Sequence, residues 1–241
     1  MRFIPLVLMF MLTLAVATSH AASPGLAAVL ERLGVDPDGD RLRPAPIPGF
    51  LEVTRGMQVL YVAADGGLVI NGDILSIATE TNLTEKRRGN IRLDLLARIP
   101  MGETLVAPAR RPTVARVIVF TDVNCPYCLA LHRHHEELLE QGIEIQYLFY
   151  PRSGPESASF EQAVAVWCSA DRLAALGRSL RGEELPAAHC DNPVRRHYEL
   201  ARELELKGTP AVIATDGIVK YGLYSPEDIL NFARGARRGQ T

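Results

Sequence analysis

Neither sign of charge is in excess: 26 Lys and Arg stand against 28 Asp and Glu, a formal net charge of −2. No basic stripe or acidic tail disturbs that balance, so neither nucleic acid nor bulk membrane binding is expected. Internal repeats and low-complexity tracts are absent. Aromatic residues make up only 6%, with one tryptophan, against 47% hydrophobic residues in all; this is an ordinary soluble globular composition. The N-terminal apolar run, 3–16, has about 14 residues where ~20 are needed to cross a bilayer. Cysteine is sparse, four in 241 residues. A zinc site drawing on Cys125, Cys128, Cys168 and Cys190 would want a second closely spaced pair, and there is none. No metal and no cofactor is expected.

The apolar run follows Met1-Arg2 and leads to Ser19-His20-Ala21. That is the form of a secretory signal, with small residues flanking a cut after Ala21. No cysteine near the cut offers a lipidation site. Residues 1–21 are therefore expected to be a removed signal peptide. All four cysteines fall in the exported part, where a disulfide can persist.

Residues 22–82 read as a small first domain. A helix is expected over 23–33 with a Ser-Pro start, a loop over 36–48, and strands at 50–54, 58–63 and 68–71, with a fourth at 74–77. Asp65-Gly66-Gly67 is a hairpin turn. One helix and a few strands make a thin core, and such a domain often needs a partner; dimerisation through a strand edge is a natural solution. Residues 83–112 read as a linker, with an exposed helix over 84–97 weakened by Gly89. From 113 to 241 the order is strand, helix, strand (143–150), a long helical region (157–181) and a loop holding Pro186 and Cys190. Helix 193–207, strand 211–214, the turn Asp216-Gly217, strand 218–221 and a helix capped by Ser225 follow. This matches an α/β thioredoxin core with helices inserted in its middle.

The run 114–120 (VARVIVF) leads through a short turn into Cys125-Pro126-Tyr127-Cys128, which opens an amphipathic segment over 129–139. Spacing i, i+3 in a first helical turn brings two sulfurs within bonding reach. The unpaired N–H groups and the positive dipole end stabilise a thiolate there. Cys125 should be the exposed nucleophile and Cys128 the more buried resolving thiol, with Pro126 and Tyr127 tuning the pair. Of His132, His134 and His135, the first and last are spaced i, i+3, which could bind a metal but more often marks a solvated helix face. Asp122 reads as a turn or capping residue. Tyr61, Trp167 and Tyr221 read as core or cleft residues.

Several features together carry a family resemblance. They are Phe120-Thr121-Asp122 before the dithiol, Trp167-Cys168 with Cys190 further on, Gly208-Thr209-Pro210-Ala211, and the small first domain with its helical linker. The chain resembles the DsbC-type periplasmic disulfide isomerases of the DsbC/DsbG family. The resemblance implies a cystatin-like N-terminal dimerisation domain and a V-shaped homodimer whose thioredoxin domains face a cleft for misfolded, disulfide-containing secreted proteins. It also implies a periplasmic location and a membrane thiol reductase of the DsbD type as electron donor. In the same way it implies a structural disulfide between Cys168 and Cys190, a cis Pro210, and substrate-strand binding at Thr209 and Pro210. Pro126-Tyr127 departs from the Gly-Tyr of the best-known isomerases and matches the DsbG type. A DsbG-like thiol reductase or oxidase, and a non-catalytic periplasmic chaperone, are the competing readings.

Overall fold

The structure is a computed structural model describing residues 25–35, 42–222 and 225–238. The expected leader 1–21 and the Ser23-Pro24 helix start lie outside them. Helix α1 (Leu26–Arg32) packs beside an antiparallel sheet of β1 (Leu42–Pro44), β2 (Phe50–Arg55), β3 (Gln58–Ala63) and β4 (Val69–Ile70), in that order. The register Val53↔Leu60 and Leu51↔Val62 puts Val53, Leu60 and Val62 with Val29 and Leu30 of α1 in one small core. The alternate pair Glu52↔Tyr61 faces the other way. There it meets the next helix: Tyr61 Oη and Thr84 Oγ1 lie 2.6 Å apart, and Arg87 Nε donates to Glu52 at 2.7 Å. This explains why β3 is buried on both faces. Part of the expected loop 36–48 is strand β1, an outer strand on which Pro44 is tolerated.

The hairpin β5 (Leu75–Ser76) and β6 (Thr81–Asn82) leads into α2 (Leu83–Leu96), whose cap Asn82 accepts from Glu85 N at 2.8 Å. This helix is more than an exposed linker. Its first turns hold the N-terminal sheet, while Leu95 and Leu96 enter the core of the second domain. Gly89 is not a weak point but a contact: it lies against the backbone of Asp216 and Gly217, and Arg92 Nη1 donates to the Gly217 carbonyl at 3.1 Å.

After a 3-10 turn (Met101–Glu103) come β7 (Leu105–Ala107), β8 (Ala115–Thr121), α3 (Pro126–Arg133), α4 (His135–Glu140) and β9 (Ile143–Phe149). The helices α5 (Ala158–Cys168), α6 (Arg172–Leu180) and α7 (Val194–Glu203) follow, then β10 (Ala211–Ala214), β11 (Val219–Tyr221) and α8 (Pro226–Arg238). The five-stranded sheet runs β11-β10-β8-β9-β7, with β8 and β9 parallel and the other pairs antiparallel. This is the thioredoxin-like fold with a helical insertion, α5–α7, between β9 and β10. Val117 and Val119 face one core with α3–α6 and α8; Ile118 and Phe120, on the alternate face of the strand, meet the other with α2 and α7.

Three expectations change. Leu105–Ala107, assigned to the linker 83–112, pairs with β9 in the five-stranded sheet, because Leu105 and Ala107 are buried there. The helical region 157–181 is two helices, separately capped by Ser157 and Asp171. The helix that the dithiol opens starts at Pro126 as expected but does not run unbroken to 139: it breaks at His134 into α3 and α4. Cys168 and Cys190 are bonded, with Cα atoms 5.8 Å apart, closing a loop around α6.

Candidate active site

Strand β8 carries the chain to the site. Its end is fixed by a 2.7 Å bond from Tyr150 N to the Thr121 carbonyl. Asp122 then turns the backbone: its Oδ1 accepts from Asn124 N at 3.1 Å and its carbonyl from Cys125 N at 3.0 Å. Its Oδ2 accepts from Arg152 N and Nε at 3.1 and 3.3 Å. The turn role read from the sequence holds, with Arg152 as an added partner.

Cys125 is the N-cap residue of α3 and Pro126 its first helical residue. Proline suits that place because its missing N–H would have had no intrahelical acceptor. The N–H groups of Tyr127 and Cys128 do lack such acceptors, and they point at the Cys125 sulfur. Cys125 is drawn down from the ordinary thiol range to about 5. The largest cause is a hydrogen bond from the Cys128 thiol; desolvation opposes it, and Thr209 and the two backbone N–H groups add to it. Burial and the same bond push Cys128 far upward, although Asp122 N approaches its sulfur at 3.5 Å. The pair therefore shares one proton near neutral pH, held on the deeper sulfur.

The Thr209–Pro210 bond is cis, and Ala211 pairs with Phe120, which pins the prolyl bend beside the end of β8. Thr209 acts on Cys125 in two ways. Its carbonyl, 3.3 Å from Sγ, accepts from the thiol and favours the protonated form. Its hydroxyl is buried with no hydrogen-bond partner in the thiol form, and its nearness lowers the Cys125 pKa, as a donor available to the thiolate. With the helix-start donors on the same side, the thiolate is favoured.

One expectation is corrected. Cys125 is 2% exposed, not open to solvent, because the prolyl bend and the first turn of α3 close over it. Tyr127 beside it is 60% exposed.

Residues 106–236 match the thioredoxin-like domain family, and residues 17–85 the disulfide bond isomerase protein N-terminal domain. A thiol:disulfide interchange protein DsbC from Dickeya dadantii is 32% identical over 228 residues, covering 93% of this chain and 92% of its own. The chain belongs to the DsbC family. The DsbC of Escherichia coli K12 is 31% identical over 230 residues, with 92% and 94% covered. Among solved structures, a disulfide interchange protein from Neisseria gonorrhoeae superposes with a TM-score of 0.51 at 23% identity, covering 58% of this chain and 99% of that one. That likeness concerns the fold.

In this DsbC-family chain, Cys125, Pro126, Tyr127, Cys128, Thr209 and Pro210 come together, while Cys168 and Cys190 brace the inserted helices. The histidines are not a solvated face. His135 is buried with Nδ1 3.0 Å from Tyr147 Oη, His132 turns toward it with ring centroids 5.0 Å apart, and both His132 and His134 are half-buried. Tyr147 was not singled out in the sequence; its one signal is a hydroxyl-bearing residue on the alternate face shared by Ile143, Ile145 and Phe149, which is otherwise wholly apolar. Tyr61 and Trp167 are core residues, the latter under the Arg172 guanidinium at 3.8 Å, and Tyr221 is half-buried.

Proposed function

We propose that the protein is an exported, periplasmic disulfide isomerase that works as a homodimer on misfolded secreted clients. The observation that carries this reading is the thiolate-favouring environment of Cys125, at about 5, beside Thr209–Pro210 and above a Cys128 that keeps its proton. The Cys125 thiolate attacks a non-native client disulfide; a sulfur–sulfur bond forms to the enzyme and one client thiolate is released. A second client thiolate then attacks the mixed disulfide, a new client bond forms, and Cys125 leaves as thiolate. No net electrons move. When the client is slow, Cys128 attacks Cys125 instead and the client departs reduced. The oxidised pair then needs two electrons, which a membrane dithiol donor of the DsbD type supplies. Thr209 and Pro210 present backbone to a client strand laid across the site, and Pro126 with Tyr127 sets the poise of the pair.

A stabilised thiolate stabilises the reduced pair, and this makes the disulfide form oxidising. That favours isomerase or oxidase chemistry over a reductase role. Refolding of a scrambled multi-disulfide substrate tests the reading: the reduced protein should restore native pairing and Cys125→Ser should abolish it. Full rescue by Cys125→Ser would leave a chaperone without thiol chemistry. Rapid acid trapping of thiols in cells separates the remaining two, since an isomerase rests reduced and an oxidase rests oxidised.

A further inference from the structure

Resolution of a mixed disulfide turns Cys128 from a buried thiol into an attacking anion, and that anion needs a donor. A backbone donor is at hand: Asp122 N lies 3.5 Å from Cys128 Sγ. Where this N–H points is decided by the rest of Asp122. Its carbonyl accepts from Cys125 N at 3.0 Å and its Oδ1 from Asn124 N at 3.1 Å, two local bonds that close a turn of the chain on itself. The third hold comes from 30 positions away, where Arg152 gives Oδ2 its backbone N–H at 3.1 Å and its Nε–H at 3.3 Å. Arg152 follows on the parallel ladder of β8 and β9. Thr121 pairs with Phe149, Tyr150 N donates to the Thr121 carbonyl, and Arg152 then takes the side chain of the next residue.

We propose that Arg152 is a positioning residue for resolution: by clamping the Asp122 carboxylate it keeps the Asp122 N–H aimed at Cys128, so that charge developing on that sulfur meets a fixed donor. The proposal rests on the disulfide-exchange reading above. In the step it serves, Cys128 gives up its proton and attacks the Cys125 sulfur, and the Cys125–Cys128 bond forms. The client sulfur leaves with the electron pair and ends as a thiol carrying the proton.

The surroundings suit a brace. Among the described residues, Asp122 is the one buried carboxylate of the thioredoxin-like domain, and a buried carboxylate needs a partner of opposite charge. The half-exposed Arg152 guanidinium supplies it. Burial first, and the bond to Cys125 second, hold Cys128 up, and the Asp122 N–H works against both. The Cys125 thiolate relies on other groups, namely the Cys128 thiol, Thr209 and the N–H groups of Cys128 and Tyr127. The brace therefore bears on the second step and not on the first. A slower Cys128 leaves the mixed disulfide open for longer to a second client thiol, so Arg152 sets the balance between rearranging a client and reducing it.

The test mixes the reduced full-length protein with oxidised glutathione; acid quench and mass spectrometry follow the glutathione-bound and internally bonded forms over time. Arg152→Met keeps the unbranched stem but removes the Nε donor and the charge, at a half-exposed position where the fold tolerates the change. Resolution should slow about tenfold, the order of one hydrogen bond to a charged group. Arg152→Lys keeps a charged donor and should stay within about threefold of the parent. In a Cys128→Ser background, Arg152→Met should leave the first step at the rate of that background. Asp122→Asn makes a donor of one of two oxygens that are met only by donors, and it should slow resolution as well. The double variant should be no slower than Asp122→Asn alone, because the two residues act as one unit. Parental resolution in Arg152→Met overturns the brace. So does equal slowing of both steps, which marks a general distortion, and so do additive losses in the double variant, which mark a direct field of the guanidinium on the sulfur. If Asp122→Asn does not fold, the comparison of Arg152→Met with Arg152→Lys decides, and equal slowing in the two overturns the brace. Failure of the Cys128→Ser protein to form any glutathione adduct defeats the exchange reading and the brace with it.

Discussion

At residue 209 a single threonine makes two opposed demands on Cys125, and they can be separated. Thr209→Val keeps the branched shape and the carbonyl but deletes the hydroxyl. A hydrogen bond to a charged group is worth about 1.5–3 kcal/mol, and one pKa unit corresponds to about 1.36 kcal/mol. Cys125 should therefore rise by about one to two units from its value of about 5. The pH dependence of iodoacetamide labelling of the reduced protein reads this directly, and an unmoved profile would remove the hydroxyl from the account. The sign extends to stability. A depressed thiol stabilises the folded reduced form fully above the free-thiol pKa of ~8.5 and loses that contribution as pH falls through about 5. The variant should keep less of it. The nucleophile, its partner and the helix start were legible in the sequence because four adjoining residues define them. The burial of Cys125 was not, since the lid comes from a residue 84 positions away. The inward turn of His132 and His135 was hidden for a similar reason: spacing identifies a shared face, but β9 decides what that face meets.

At the scale of elements, local chemistry was legible where a cap or a turn carried it. Ser225 and Asp228 bond reciprocally at the start of α8, as their spacing indicates. The strands β1 and β7 were hidden because they are short and lie next to prolines, and only their pairing partners reveal them. Gly89 makes the contrast testable. Helix propensity alone says that Gly89→Ala should stabilise α2 by roughly 1 kcal/mol. In this fold the new methyl would sit 2.5 Å from the Asp216 carbonyl oxygen, so the helix must shift off the β10–β11 turn or the turn must open. Overpacking of that kind costs about 1–3 kcal/mol. The expected outcome is a thermal midpoint lowered by roughly 2 °C or more, at the 2–4 °C per kcal/mol usual for a chain of this size, followed by circular dichroism. A raised midpoint would show that α2 does not need this contact and that the pairing of the linker helix with the catalytic domain rests on its other contacts, Arg92, Leu95 and Leu96 among them.

Across the whole molecule, α2 joins two units of unequal self-sufficiency. The catalytic domain has two extensive cores, while the N-terminal sheet buries one small cluster and leaves an apolar margin uncovered. Leu68 is 65% and Ile77 93% exposed, with Val69, Ile70 and Leu75 also exposed around the outer strand β4 and the β5–β6 hairpin. An unpaired strand edge bearing such residues invites a second copy to pair with it, in keeping with the thin core expected for residues 22–82. Replacing both Leu68 and Ile77 by Asp should cost the monomer little, because each side chain already faces water. In a dimer it would bury or oppose four new carboxylates. The dissociation constant should rise at least about 100-fold, which is near 2.7 kcal/mol, and light scattering at micromolar concentration should then find monomers where the parent gives dimers. Labelling of Cys125 should be unchanged in the variant, since the catalytic domain is untouched. Under the homodimer proposal, rearrangement of a scrambled multi-disulfide client should fall, because a single catalytic domain then meets each client, while simple thiol exchange survives in each chain. A parent that is itself monomeric, or a variant that stays dimeric, would move the partner surface away from this margin.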